Sequence, residues 1–485
     1  MNAAELLLGP AALARHGGRI ALICGDESVS FAQLADRVAR AAGALAALGV
    51  RPGELVLFLM RDTPEFAAAW LGAVRVGAVA IALNNKLSDA EVGHVIADSK
   101  PRLALVDDRF AERRFAGINA LRASAFREQL AHAPAAPVFE TSPETPAFML
   151  YSSGTTGHPK GIIHVHRGFL SLGLAFRFTG IGEGERVFTS SKFFFAYGLE
   201  HGLLATLAMG ATSVIYPDWP DAEAVIDLVT RHRPAAMFSV PTIYRRLLAE
   251  PRARLAPFSA MRRFIAGGER LSTQLVDHWR KAVGGELLNL YGMSETFCAC
   301  MMTPPGSSDG LRTGLPFDGV QVELRDAGVL WVKHPAQATC YANLAERTDE
   351  QFRDGWFCSR DVFVCDTEGF YVHQGRVDEL LKIAGQWVQP AELEDVAARE
   401  AAVLEAACVP VADADGLERL ALFVTAKGDR AAALHAAFDA CERSLPRHKR
   451  PKWVRAVEEL PRTATGKVQR FKLREILERE LAAKD

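Results

Sequence analysis

The segment Tyr151-Ser152-Ser153-Gly154-Thr155-Thr156-Gly157-His158-Pro159-Lys160-Gly161 gathers four Ser and Thr hydroxyls, three glycines and a lysine. Glycines keep side chains clear of a ligand and let backbone N–H groups form an anion-binding nest, so a polyphosphate is the natural guest. The segment is not a Walker A loop, because Lys160 is followed by Gly161 and not by Ser or Thr. A second group, Tyr291-Gly292-Met293-Ser294-Glu295-Thr296, sets a carboxylate beside hydroxyls after a strand-like stretch. That suits Mg²⁺ and phosphate together, since Mg²⁺ takes one or two carboxylates and completes its shell with phosphate and water. The same Ser-Glu-Thr triplet also serves as an ordinary helix N-cap. Near the C-terminus Lys467 follows a tight Thr-Ala-Thr-Gly turn and precedes a basic amphipathic stretch. A carboxylate attacking a phosphate meets like charge, and a fixed cation with Mg²⁺ offsets that repulsion.

Weaker signals accompany these. Ala266-Gly267-Gly268-Glu269 is a Gly-rich turn. Lys192-Phe193-Phe194-Phe195-Ala196-Tyr197-Gly198-Leu199 is an aromatic run that suits either core packing or an aromatic pocket. The basic cluster of Arg447, His448, Lys449, Arg450 and Lys452 suits either bound phosphates or a solvated face.

The elements that carry these residues are strand–helix units. Residues 54–60, 77–83 and 102–107 read as short buried strands, and residues 64–76 as a helix. Such alternation predicts an α/β fold, a large N-terminal domain of parallel and mixed sheets flanked by helices. After about Gly375 the character changes: a helix from Pro390, strands at 403–410 and 420–424, and a helix over 430–445 predict a small α+β domain. The boundary is placed between residues 1–376 and 377–485.

At 485 residues the chain exceeds one ordinary core. Net charge is −2, so no overall basic field holds nucleic acid or an anionic membrane. The apolar stretch 66–83 is interrupted by Arg75 and glycines, which favours a buried helix and strand over a membrane span. Glu5 precedes the first apolar run and no basic residue does, a poor secretory signal. Eight scattered cysteines form no Cys-x-x-Cys pair, which points to a reducing cytoplasm. The sequence leaves the oligomeric state open, a homodimer included.

With these motifs in place, the chain resembles the adenylate-forming superfamily of acyl- and aryl-CoA synthetases, peptide-synthetase adenylation domains and beetle luciferases. The resemblance runs from about Ile20 to Glu480 and is most specific at the phosphate loop, at 291–296, 376–392 and 461–472. The wording of the aromatic run and of Val240-Pro241-Thr242-Ile243-Tyr244 most resembles benzoate–CoA ligases. The resemblance implies ATP, Mg²⁺ and coenzyme A as co-substrates and cofactor, and a mobile C-terminal domain. It implies that the reaction makes an acyl-AMP with release of pyrophosphate, then an acyl-CoA thioester. By it Ser152, Ser153, Gly154, Thr155, Thr156, Gly157 and Lys160 hold phosphates, Ser294 reaches the α-phosphate, and Glu295 binds Mg²⁺. Tyr291 lies by the adenine; Gly267, Gly268, Glu269, Gly292 and Met293 line the adenine and acyl pockets. Asp361 takes the ribose hydroxyls with Arg376 nearby, although Arg360 stands where the family has glycine. Lys467 bridges the carboxylate and the α-phosphate, and Asp378 is the hinge. Lys382, Gly385, Trp387, Arg447 and Lys449 serve CoA, with Gly385 readable also as a plain turn glycine.

Phe195, Ala196 and Tyr197 fall beside the acyl group, so a flat aromatic acid is the expected substrate. A short or branched aliphatic acid is the alternative, as is a carrier-protein thiol in place of CoA. Glu200 and His201 depart from the small residues expected there. Either they face outward, or they recognise a hydroxyl or amino substituent.

Overall fold

A computed structural model describes residues 1–153, 159–326, 328–377, 381–383, 386–462 and 468–482, with Ser153, Lys382, Gln386 and Trp387 described by backbone alone. Gly154, Thr155, Thr156, Gly157, Asp378, Gly385 and Lys467 lie outside the described residues.

The chain divides into two compact units. One takes Met1–Glu323 and Trp331–Ser359; the other takes Leu324–Leu330 and Arg360–Asp485. The division falls ahead of the boundary expected at 376/377. Backbone pairing explains why: Asp361 sits opposite Arg376 in an antiparallel hairpin, and Phe363 N–H donates to Gly328 O at 2.8 Å.

Among the described residues the first unit holds a nine-stranded and a seven-stranded sheet. In the larger sheet, parallel strands Leu287–Tyr291, Arg263–Gly267, Ala236–Ser239, Arg186–Thr189, Thr212–Ile215 and Ile20–Cys24 lie side by side. In the smaller, Asn119–Arg122, Leu103–Val106, Leu55–Leu59, Val79–Ala82 and Pro146–Ser153 run parallel, and Pro159–Val165 and Cys340–Tyr341 add antiparallel edges. The stretch 66–83 becomes the helix Pro64–Arg75 and the strand Val79–Ala82. Pro64 opens that helix at a position whose N–H needs no intrahelical partner, and Thr63 caps it by accepting from Phe66 N–H. Strands buried on both faces, such as Val79–Ala82 and Leu103–Val106, are continuous apolar runs, as parallel sheets covered by helices require.

The second unit carries a three-stranded sheet, Val403–Ala412, Glu418–Ala426 and Trp453–Ala456, with helices Pro390–Ala398, Arg430–Ser444 and Arg470–Ala482. The last helix buries Leu473 and Leu477, one turn apart, against Val409 and Phe423. The α/β class and the small α+β C-terminal domain match the sequence reading. Among the described residues no helix is long and apolar enough to cross a membrane.

Candidate active site

The phosphate segment is framed by a long antiparallel hairpin. Pro146–Ser153 pairs with Pro159–Val165 in a register that sets Ser152 opposite Lys160 and Ser153 opposite Pro159. Where the hairpin opens, the buried Ser152 hydroxyl has no hydrogen-bond partner among the described residues. An orphaned buried hydroxyl is costly, and a phosphate oxygen would satisfy it. Lys160 Nζ donates to Glu295 Oε1 at 2.7 Å and to the Tyr341 hydroxyl at 2.9 Å. That hydroxyl lies 2.8 Å from the same Glu295 oxygen and also beside Gln351 Oε1. Burial pushes the Glu295 carboxyl up, but the Lys160 charge and the Lys160 and Tyr341 hydrogen bonds outweigh it and hold the pKa below its ordinary value. Glu295 is therefore a carboxylate, with Lys160 as internal counter-ion.

The turn that presents Glu295 is strained. Phe297, a buried aromatic residue, has φ +58°, a region that side chains with a Cβ seldom adopt. Packing holds it there: its ring meets Phe148 edge-on at 4.8 Å and lies 5.5 Å from His164. His164, stacked on Phe148 at 4.7 Å, is bonded through Nε2 to Ser294 O at 2.9 Å. Burial lowers its pKa to about 4, so the ring is neutral and acts as a backbone clamp. Gly292 is obligatory on its own ground: a Cβ there would stand 2.9 Å from Ala299 Cα.

The aromatic run is anchored from beneath. Lys192 and Asp62, side chains 3% and 5% exposed, pair at 2.9 Å. Lys192 Nζ also donates to Tyr216 O at 2.6 Å and Asp218 O at 2.9 Å, while Asp62 accepts from Phe193 N–H at 3.2 Å. All three ammonium donors are thus used. Downstream, half-buried Phe195 packs on Phe194 and Trp219, and Tyr197 lies against Gly267, where a Cβ would come 3.0 Å from the ring. The Tyr197 hydroxyl donates to Ser239 O at 3.2 Å. Glu269 accepts from Thr242 Oγ1 at 2.9 Å, with Arg245 Nη1 3.8 Å away. The residues expected in the acyl pocket, Phe195, Ala196, Tyr197, Gly267, Gly292 and Met293, all belong to the first unit, as do Gly268, Glu269 and Tyr291.

Glu200 and His201 do not face outward. Each is 1% exposed, and the outward alternative is corrected. The reason is helical geometry: they fall one turn after Ala196 and Tyr197, in a π-helical turn Glu200–Leu204 that directs them inward. Burial raises the Glu200 carboxyl from its ordinary 4.5 to about 8, against the Ala299 N–H and Cys298 thiol that lower it. The titratable groups around it are Tyr197, His201 and Cys298. The folded carboxyl keeps its proton to about pH 8, whereas the unfolded one loses it near 4.5. The native state then holds the extra proton, so stability falls as pH rises between those values and levels off above. Glu200→Gln is expected to flatten that fall in urea unfolding followed at pH 5, 7 and 8.5; an unchanged slope contradicts a protonated buried Glu200.

In the second unit Asp361 lies 3.4 Å from Arg376 Nη1 and 3.6 Å from His373 Nε2. Arg360 has φ +61°, so the chain keeps the left-handed turn that a glycine would give, with arginine in its place. Of the basic cluster, Lys449 is paired with Glu392 at 2.6 Å, Arg450 with Glu442 at 2.6 Å and Lys452 with Asp413 at 2.9 Å. Arg447 and His448 have no carboxylate partner among the described residues and, with Arg419 and Ile383, line a surface groove. The hairpin Leu381–Ile383 and Gln386–Val388 pairs Lys382 with Trp387.

The motifs quoted from sequence include Lys160 and Glu295, but not Tyr341, which bonds both, nor Gln351 beside Tyr341 and His164, which bonds Ser294 O. Among the described residues no group of three His, Cys, Asp or Glu side chains gathers to hold a metal. A hard cation carried in on a polyphosphate needs only one or two protein carboxylates, so Glu295 and the orphaned Ser152 hydroxyl fit Mg²⁺–ATP.

The AMP-binding enzyme model matches residues 10–342 and its C-terminal domain model residues 392–467. The chain belongs to the AMP-binding enzyme family. It is 38% identical to a 3-hydroxybenzoate–CoA ligase of Aromatoleum sp. (strain CIB), covering 98% of this chain and 97% of the relative. Its fold is similar to a benzoate CoA ligase from Burkholderia xenovorans LB400 (TM-score 0.90, 32% identity, 98% and 100% of the two chains). It is also similar to an anthranilate CoA ligase in complex with anthranoyl-AMP (TM-score 0.92, 28% identity, 98% and 97%). As an AMP-binding enzyme the chain is a ligase of the acid–thiol class, with ATP, Mg²⁺ and CoA as its reactants and cofactor.

Proposed function

We propose that this AMP-binding enzyme activates a flat aromatic acid of the benzoate class as acyl-AMP and passes the acyl group to coenzyme A. The observation that carries the adenylation half is the Lys160–Glu295–Tyr341 cluster at the open end of the phosphate hairpin. The aromatic pocket and the relatives' names support the acid.

In the first half-reaction a carboxylate oxygen bonds to the α-phosphorus, and the bond to the bridging oxygen breaks to release pyrophosphate. Residues 152–160 hold the β- and γ-phosphates, and Ser294 reaches the α-phosphate. Tyr291, Gly268 and Glu269 flank the adenine, while Asp361 and Arg376 take the ribose hydroxyls. Mg²⁺, held through Glu295, neutralises phosphate charge when bound. Lys467, outside the described residues, bridges carboxylate and α-phosphate by the resemblance. In the second half-reaction the CoA thiolate attacks the acyl carbon and AMP leaves. Gly385, Lys382, Trp387 and Arg447 serve that step, with Asp378 as the hinge. Lys449, already neutralised by Glu392, is the weakest member of the CoA set. Eight free cysteines agree with a cytoplasmic setting.

Incubating the enzyme with ATP, Mg²⁺, CoA and a panel of acids, read by mass spectrometry, tests the acid and the acceptor. Benzoyl- or hydroxybenzoyl-CoA is the expected product. Thioesters of aliphatic acids only, or transfer only to a pantetheinylated carrier, overturn the reading.

A further inference from the structure

Among the described residues, two buried polar atoms near the expected acid pocket have no hydrogen-bond partner, Glu200 Oε1 and His201 Nε2, although the Cys298 thiol faces the Glu200 carboxyl. They belong to neighbouring residues, each 1% exposed, and His201 Nε2 lies 3.5 Å from the other Glu200 oxygen. Both flank expected pocket residues. The His201 ring is 4.9 Å from that of Tyr197, and Glu200 Oε2 accepts from the N–H of Ala299, the residue against which Gly292 packs. Buried polar groups are nearly always satisfied, and two orphans side by side call for a reason.

The chemistry of the two atoms is complementary to one ligand group. His201 Nδ1 is 3.0 Å from Tyr197 O, and only an N–H can bond a carbonyl. The ring is neutral, since burial lowers its pKa to about 4, so Nε2 is a bare acceptor. The Glu200 carboxyl is protonated at neutral pH, and its Oε2 already accepts from a backbone N–H, so Oε1 is placed to carry the proton as donor. A phenolic hydroxyl accepts one hydrogen bond and donates one. An aromatic amine donates two and accepts poorly, so it would satisfy only one of the pair.

We propose that Glu200 and His201 are specificity-determining residues that read a ring hydroxyl, so that the enzyme prefers a hydroxybenzoate to benzoate. This rests on the aromatic-acid reading above. Because both atoms are buried and unpaired, an acid lacking the hydroxyl leaves them unsatisfied, which is how hydrogen-bonding sites reject the shorter analogue.

The test is kcat/KM for benzoate and for the hydroxybenzoate isomer that the unaltered enzyme turns over best, in Glu200→Met and in His201→Phe. His201→Phe keeps the ring stacked on Phe238, now 4.5 Å away, so it decides the matter if Glu200→Met fails to fold. The hydroxybenzoate-to-benzoate ratio is expected to fall about tenfold or more in each variant, with benzoate turnover held within about threefold. A ratio within about twofold of the unaltered enzyme's overturns the inference, as does an unaltered enzyme with no preference for any hydroxybenzoate. Absence of all aromatic-acid turnover would sink the proposed function itself, which separates the two failures.

Discussion

Glu295→Gln lowers acid-dependent ATP–pyrophosphate exchange by roughly 10²–10³-fold, the usual loss when one preorganised charge leaves a reaction centre. Glutamine keeps the volume and can still accept from the Tyr341 hydroxyl, so the change removes charge and little else. In the unaltered protein Lys160, 2.7 Å away, holds that carboxylate ionised despite its burial. By the role proposed for Glu295, losing the charge removes the protein carboxylate that would hold the cation carried on ATP, and Lys160 loses its counter-ion. The second half-reaction starts from acyl-AMP and involves no pyrophosphate. Supplying synthetic acyl-AMP and CoA to the variant is therefore expected to give thioester at close to the unaltered rate. Equal loss in both assays would mean that Glu295 only supports the fold.

Lys192→Met destabilises the protein by about 3–5 kcal/mol, because it strands Asp62 as a buried charge without a partner. Asp62 is 3% exposed, and burial already raises its pKa against the pull of Lys192. The double change Lys192→Met with Asp62→Leu removes both charges and recovers most of that loss, as buried pairs replaced by apolar groups commonly do. Urea unfolding of the single and double variants measures it. A single-variant cost below about 1 kcal/mol contradicts the assignment. The pair also fixes the backbone entering the proposed acid pocket through the Phe193 N–H, so the single variant should raise KM for the acid beyond what partial unfolding explains.

Short-range signals were legible from sequence, and long-range ones were not. Strands expected at 77–83 and 102–107 appear as Val79–Ala82 and Leu103–Val106, and the helix expected at 430–445 as Arg430–Ser444. Each is a local pattern of apolar period or of helix-starting residues. Tyr341, by contrast, meets Lys160 from 181 residues away, through an edge strand of two residues with no pattern to betray it. The fate of Glu200 and His201 turned on a π-helical turn, which composition does not announce. The compact units divide between Ser359 and Arg360, ahead of 376/377, for a similar reason: the pairing of Asp361 with Arg376 depends on a hairpin whose partner strand lies across a turn. Arg360 shows the reverse case, where the expected glycine is absent and its backbone conformation persists.

The most direct test of the account is the fate of ATP when the enzyme meets a hydroxybenzoate without CoA. The account predicts acid-dependent exchange of labelled pyrophosphate into ATP, with AMP and acyl-CoA accumulating only once CoA is added. ATP cleavage to ADP and phosphate, or no acid-dependent exchange, would contradict it.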